Sequence, residues 1–265
     1  MKNVLLLVHD DAGQEARLQT ALDLVRALDG HLRCVDVTVP PVPLGGPYDG
    51  TGEAMLIKLE RERESANKTK LGSRLAAEGI AWDWIDTTDT IANGVLEAAT
   101  LADLIVLNRR LDSVSHPDMR DIASRVVMHA QKPVVAVPDS LDQFRLGRAL
   151  VAWDGQEASA AALRACVPLL TLADDVEIFT VRDGSERVDP SEAAEYLSRH
   201  GIHATIRIVE DGLTPVDALI DSEAIDWQAD YIVMGAYSHG RLLEVFGGVT
   251  KRLLANSAVP LVLSH

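Results

Sequence analysis

The chain has 265 residues and carries 40 acidic against 25 basic side chains, a formal charge of −15. So acidic a surface argues against nucleic-acid or anionic-membrane partners, both of which need a basic face. Apolar residues make up 47%, enough for one large core or two small ones. No run approaches the ~20 apolar residues that span a bilayer, and no charged segment followed by an apolar one opens the chain. A soluble cytoplasmic protein is the expectation.

In chain order, a buried strand ends at Leu6-Leu-Val-His-Asp10, and Cys34 falls in the next strand. Pro40-Pro-Val-Pro-Leu-Gly-Gly-Pro reads as a loop before a long charged helix, in which Lys58-Leu-Glu-Arg-Glu-Arg-Glu64 is expected to be a solvated face. Trp82 and Trp84 alternate along a third strand and are expected in the core on opposite faces. Leu104 and Pro133-Val-Val-Ala-Val open the fourth and fifth strands, and Asp139 to Gly147 reads as a boundary. A strand then runs from Ala149 to Trp153. A helix follows over Glu157–Leu170, with Ala161, Leu163, Val167 and Leu170 roughly on one face. Val176–Val181 alternates as a strand. Ser191 is a plausible N-cap and Gly201 a stop for the next helix. A third strand spans His203–Val209, Thr214-Pro215 caps another helix, and Tyr231–Met234 is the fourth strand. Pro260 opens the last one, which suits a sheet edge.

These elements form a repeat. Ala102-Asp-Leu-Ile-Val-Leu recurs 127 residues later as Ala229-Asp-Tyr-Ile-Val-Met, and Leu6 to Asp10 recurs 144 residues later as Leu150-Val-Ala-Trp-Asp154. The first copy therefore carries about 17 extra residues, placed near 40–70. Apolar strands alternating with amphipathic helices predict two tandem α/β domains, 1–143 and 144–265, each a parallel sheet covered on both faces. Cys34 and Cys166 lack CxxC or metal spacing and read as buried free thiols.

Ligands on such sheets sit at the carboxyl ends of the strands, where strand order reverses. In the second copy that edge offers Asp154-Gly155, Thr180-Val181 and the loop from Gly235 to Thr250. A carboxylate can accept from an exocyclic amine, and a glycine loop opening a helix can present N–H groups to phosphate. The alternative is structural: Asp154 caps a helix and Gly235 makes a tight turn. At the repeat spacing the first copy has Asn108 for Gly235, Leu111 for Ser238, Arg120 for Gly247 and Asp121 for Gly248. A carboxylate there repels an anion, so the first copy is expected to bind no phosphate. His200 and His203 read as surface residues, and His239 has no visible catalytic partner.

The tandem arrangement, Trp153-Asp-Gly155, the loop from Gly235 and the Pro260-Leu-Val ending together resemble the universal stress protein family in its two-domain form. The resemblance implies two Rossmann-like five-stranded domains of strand order 3-2-1-4-5, paired through their last strands into an intrachain pseudo-dimer. It implies a non-enzymatic stress-response module, and one adenine nucleotide (ATP, with Mg) bound in the carboxyl-terminal domain. Asp154, Gly155 and a backbone group at Val181 would hold adenine, and Gly235, Ser238 and the helix start would hold ribose and phosphates. The last glycine pair aligns two ways. Counting from Gly235 gives Gly248 and Val249. Counting back from Pro260 gives Gly247 and Gly248 with Thr250 as the nearest hydroxyl, preferred because the helix is rigid and the loop can absorb a deletion. The expected Gly-Ser/Thr is missing either way. The other reading is a nucleotide-independent scaffold with an unidentified protein partner, and further homodimerisation is compatible with both.

Overall fold

A computed structural model describes residues 1–39, 51–109, 119–182, 184, 187–210, 212–236 and 248–265. The first half runs β1 (Asn3–Val8), α1 (Gln14–Leu28), β2 (His31–Thr38), α2 (Thr51–Ala77), β3 (Ala81–Thr88), α3 (Ile91–Ala98), β4 (Leu104–Asn108), α4 (Met119–Ala130) and β5 (Val134–Val137). The second repeats it as β6 (Arg148–Ala152), α5 (Glu157–Leu170), β7 (Asp175–Arg182), α6 (Pro190–Ser198), β8 (Ala204–Glu210), α7 (Val216–Asp226), β9 (Tyr231–Gly235), α8 (Gly248–Asn256) and β10 (Leu261–Ser264).

Among the described residues all ten strands join one sheet, in the order β3-β2-β1-β4-β5-β10-β9-β6-β7-β8. Each half has the expected order 3-2-1-4-5 with parallel neighbours. The halves meet where β5 and β10 pair antiparallel, Val135 opposite Val262. That single antiparallel rung sends the carboxyl ends of the two halves to opposite edges of the composite sheet. One apolar core lies on each face. Val4, Leu6, Val151 and Tyr231 pack with α1, α5, α6 and the end of α2 on one side. Leu5, Leu150 and Ile232 pack with α3, α4, α7 and α8 on the other.

Four sequence expectations change. Pro260 does not mark an edge, because β10 lies at the centre of the sheet. The ladder starts at Leu261, so the missing proline N–H is not needed, and Pro260 C=O still accepts from Ile232 N at 2.9 Å. Trp82 and Trp84 pack on the same core, as residues two apart on a strand must. The cap of α6 is Asp189, whose Oδ1 accepts from Ser191 N at 2.9 Å, with Pro190 at the first helical position. Glu64 is not solvated: it is 4% exposed. The extra length of the first copy lies in α2, 27 residues against nine in α6. Both cysteines are free and buried. Burial pushes the Cys166 thiol up to about 12, and burial with the nearby Asp83 and Asp36 charges does the same to Cys34.

Candidate functional site

The register fixes which residues of the two halves correspond. Val4 pairs with Leu104 in the first half and Ala149 with Tyr231 in the second. Because Leu104 and Tyr231 are repeat equivalents, Val4 matches Ala149. His9, not Asp10, therefore stands at the position of Asp154.

In the second half, β9, β6 and β7 lie side by side, so Gly235, Asp154 and Val181 share one carboxyl edge. Asp154 is exposed, and its Oδ1 accepts the Gln156 N–H at 2.9 Å in a turn that leads into α5. Trp153 is buried and closes the end of β6. Its backbone N–H donates to Phe179 C=O at 2.8 Å and its Nε1 to Val188 C=O at 3.1 Å. Along a parallel strand, alternate residues turn their backbone groups to the same neighbour. Phe179 faces β6, so Val181 also presents its N–H and C=O to that side, beyond the last residue of β6 and beside the Asp154 turn.

The two glycines of this edge answer to packing. Gly155 has φ +67°, and a β-carbon on it would lie 2.6 Å from Val188 O. A β-carbon on Gly235 would strike the first turn of α5, 2.8 Å from Ala158 O. The absent side chains thus admit the protein's own backbone. Ser238 and Gly247 lie outside the described residues, as do Leu111, Arg120's side chain and His239. Gly248 and Val249 begin α8, and Thr250 is buried in its first turn. As the crossover between parallel β9 and β10, α8 starts at the same carboxyl edge, with the N–H groups of its first turn and its positive end. Among the described residues, a β-carbon on Gly248 would meet only the tip of Arg252, which is itself paired with Asp217 at 2.6 Å. The sequence reading missed His265. It lies one residue past β10, and its Nδ1 is 2.8 Å from Ala236 O at the same edge.

The first half closes the equivalent edge twice. Arg17 of α1 is fully buried, donating to Leu7 O at 3.0 Å, His9 O at 2.8 Å and Asp11 Oδ2 at 2.8 Å, and also to Asn108. Asn108 Nδ2 in turn donates to Asp139 Oδ1 at 2.6 Å. Here the glycine has changed sides. Gly13, at the start of α1, makes room for Asn108 on β4, since its β-carbon would lie 2.6 Å from Asn108 Cγ. The second plug comes from α2, whose Glu64 reaches over the ends of β1 and β2. Glu64 Oε1 sits 3.3 Å from His9 Nδ1, both side chains buried. Asp36, beside them, is 4% exposed. Burial and then the Glu64 charge push its carboxyl up to about 8. Among the described residues, no group of three or more His, Cys, Asp or Glu could hold a metal ion, and no helix is long and apolar enough to cross a membrane.

This architecture, two doubly wound α/β units fused through their last strands with their carboxyl edges at opposite rims, defines a class of tandem Rossmann-like proteins. The model of the universal stress protein family matches residues 1–138 and again 146–265. The chain belongs to that family. A universal stress protein from Archaeoglobus fulgidus DSM 4304 superposes with a TM-score of 0.76 at 16% identity, over 99% of this chain and 95% of that one. A functionally unknown protein from Pseudomonas aeruginosa PAO1 gives 0.63 at 18%, over 100% and 92%. A universal stress protein described as putative, from Pseudomonas aeruginosa UCBPP-PA14, gives 0.60 at 17%, over 100% and 93%. Likeness at these identities concerns the fold. No match was found among curated protein sequences.

Proposed function

We propose that the protein is a cytoplasmic, non-enzymatic stress-response module whose carboxyl-terminal domain, 144–265, takes one adenine nucleotide, while the domain 1–143 serves as a closed structural partner. The observation that carries this reading is the contrast at equivalent positions. Asp154 is exposed, next to a strand whose backbone groups at Val181 face past the end of β6. His9 and Val37 in the first half are buried. On this reading Asp154 accepts from the exocyclic amine of adenine, and Val181 pairs with the ring edge. The N–H groups of Gly248, Val249 and Thr250 face phosphate, with Gly235, Gly155, Ser238 and Gly247 shaping the approach. The donor set fits a purine and an anion rather than a bare cation, so Mg would arrive with the phosphates.

A second reading has its own support. Gly235 and Gly155 are accounted for by packing, and Asp154 by the turn into α5, so the chain would fold identically as a nucleotide-independent scaffold. One experiment separates the two. The purified protein is denatured and its supernatant searched for adenine nucleotide by mass spectrometry, and a thermal shift is measured with millimolar Mg-ATP. Bound nucleotide or a clear shift supports the first reading, and failure of both leaves the scaffold.

A further inference from the structure

We infer that α2 is a releasable strap over the ligand edge of the amino half, held down through the buried His9–Glu64–Asp36 contact and loosened when that contact loses its proton. The proposal is independent of what the carboxyl half binds.

The strap is anchored unevenly. Among its described side chains, the buried apolar ones are Leu71 and Leu75, near the carboxyl end. Among the described side chains from Lys68 toward the amino end, the attachments are polar. Asn67 exchanges two 2.8 Å hydrogen bonds with Gln14 of α1. Arg63 Nε donates to Asp10 Oδ2 at 3.0 Å. Lys68 Nζ pairs with Asp86 Oδ2 of β3 at 2.5 Å and lies over the Trp84 ring. Glu64 is the deepest of these contacts. An apolar anchor at one end and a polar one at the other is the arrangement of a segment that opens locally before the domain unfolds.

Among the described residues, the following charges face the contact. Asp36 meets Glu64 from α2, with Asp86 from β3 adding negative charge and Lys68 from α2 offsetting it. His9 comes from β1. Arg17 of α1 is committed to Asp11 at 2.8 Å, so its charge is already matched. Asp36 Oδ1 is buried without a hydrogen-bonded partner, and Glu64 Oε1 has the His9 ring at 3.3 Å as its facing group. With His9 facing Glu64, a second negative charge on buried Asp36 is poorly compensated, so the closed strap favours a proton on the pair.

The direction with pH follows. Asp36 is held at about 8 in the closed state and returns to about 4 when the strap lifts. Closing therefore takes up a proton between those values. The closed state is fully favoured below about 4, loses ground as pH rises, and levels off above about 8. The opening constant climbs by up to about tenfold per pH unit in that window.

Hydrogen exchange of the full chain, corrected for intrinsic rates, tests this between pH 5 and pH 9. The expected result is protection of residues 62–70 that falls steeply up to about pH 8 and then flattens, while α1 and α5 keep theirs. Asp36→Asn removes the titrating charge and should abolish the slope. If Asp36→Asn folds poorly, Glu64→Gln, which removes the neighbouring charge but leaves Asp36 buried, should make the slope shallower without abolishing it. An unchanged slope in the variant, or α1 exchanging in step with α2, would overturn the proposal.

Discussion

The two halves of this chain share a fold down to the strand order, and they differ at the same rim. In the carboxyl half the small residue is Gly235, on the strand, and the helix start presses against it. In the amino half it is Gly13, on the helix, and Asn108 on the strand fills the space. Exchanging which partner is small turns a strand end bordered by backbone into one occupied by a side-chain network. Arg17 then fixes that network, and an enlarged α2 covers the neighbouring strand ends. The lesson is that a carboxyl edge is closed from two directions, by packing at the fourth strand and by an added helix over the first two.

The largest effect that would break this comparison is expected at Arg17. Arg17→Ala leaves Asp11 and the Leu7 and His9 carbonyls without their donor, at a cost of about 3–5 kcal/mol. Urea denaturation should show the amino half unfolding first. Next is Gly235→Ala, whose methyl group has only the backbone of α5 to displace. About 1–3 kcal/mol is expected, with the carboxyl half losing stability. A smaller effect, on binding rather than folding, sharpens the contrast. Asp154→Ala should raise the Kd for Mg-ATP about tenfold in calorimetry. His9→Ala should leave it unchanged. Smallest of all, Gly248→Ala meets, among the described residues, only the tip of Arg252 and should move the midpoint of thermal unfolding by the equivalent of less than about 0.5 kcal/mol. A large loss of nucleotide affinity in that variant would mark the α8 start as the phosphate contact.

The fold was legible because its signals are periodic. Tyr231–Met234 and the helix at Glu157–Leu170 stand within a residue of where apolar spacing puts them. The repeat at 127 residues showed the duplication, and the family resemblance supplied the strand order. What failed was local and relational. The match of Asp10 to Asp154 is off by one, since aligned letters do not reveal which residues of β1 and β4 lie opposite, and only the register does. Ser191 yielded to Asp189 because two good caps stood near one another, and Pro190 decides between them. Glu64 looked solvated in a run of alternating charges. Its burial comes from α2 lying over His9 and Asp36, a tertiary fact without local trace. Gly235 was readable as special, but not the reason: a turn, a phosphate and a neighbouring helix all ask for the same residue.

The antiparallel meeting of β5 and β10 has one more effect. Two separate chains joined by such short strands would part on dilution, and each change in one would appear in both. Fusion holds the partner at a fixed, high effective concentration. It also gives each copy its own stretch of sequence to alter. The amino copy could surrender its pocket while still supplying β5 as the neighbour that β10 needs.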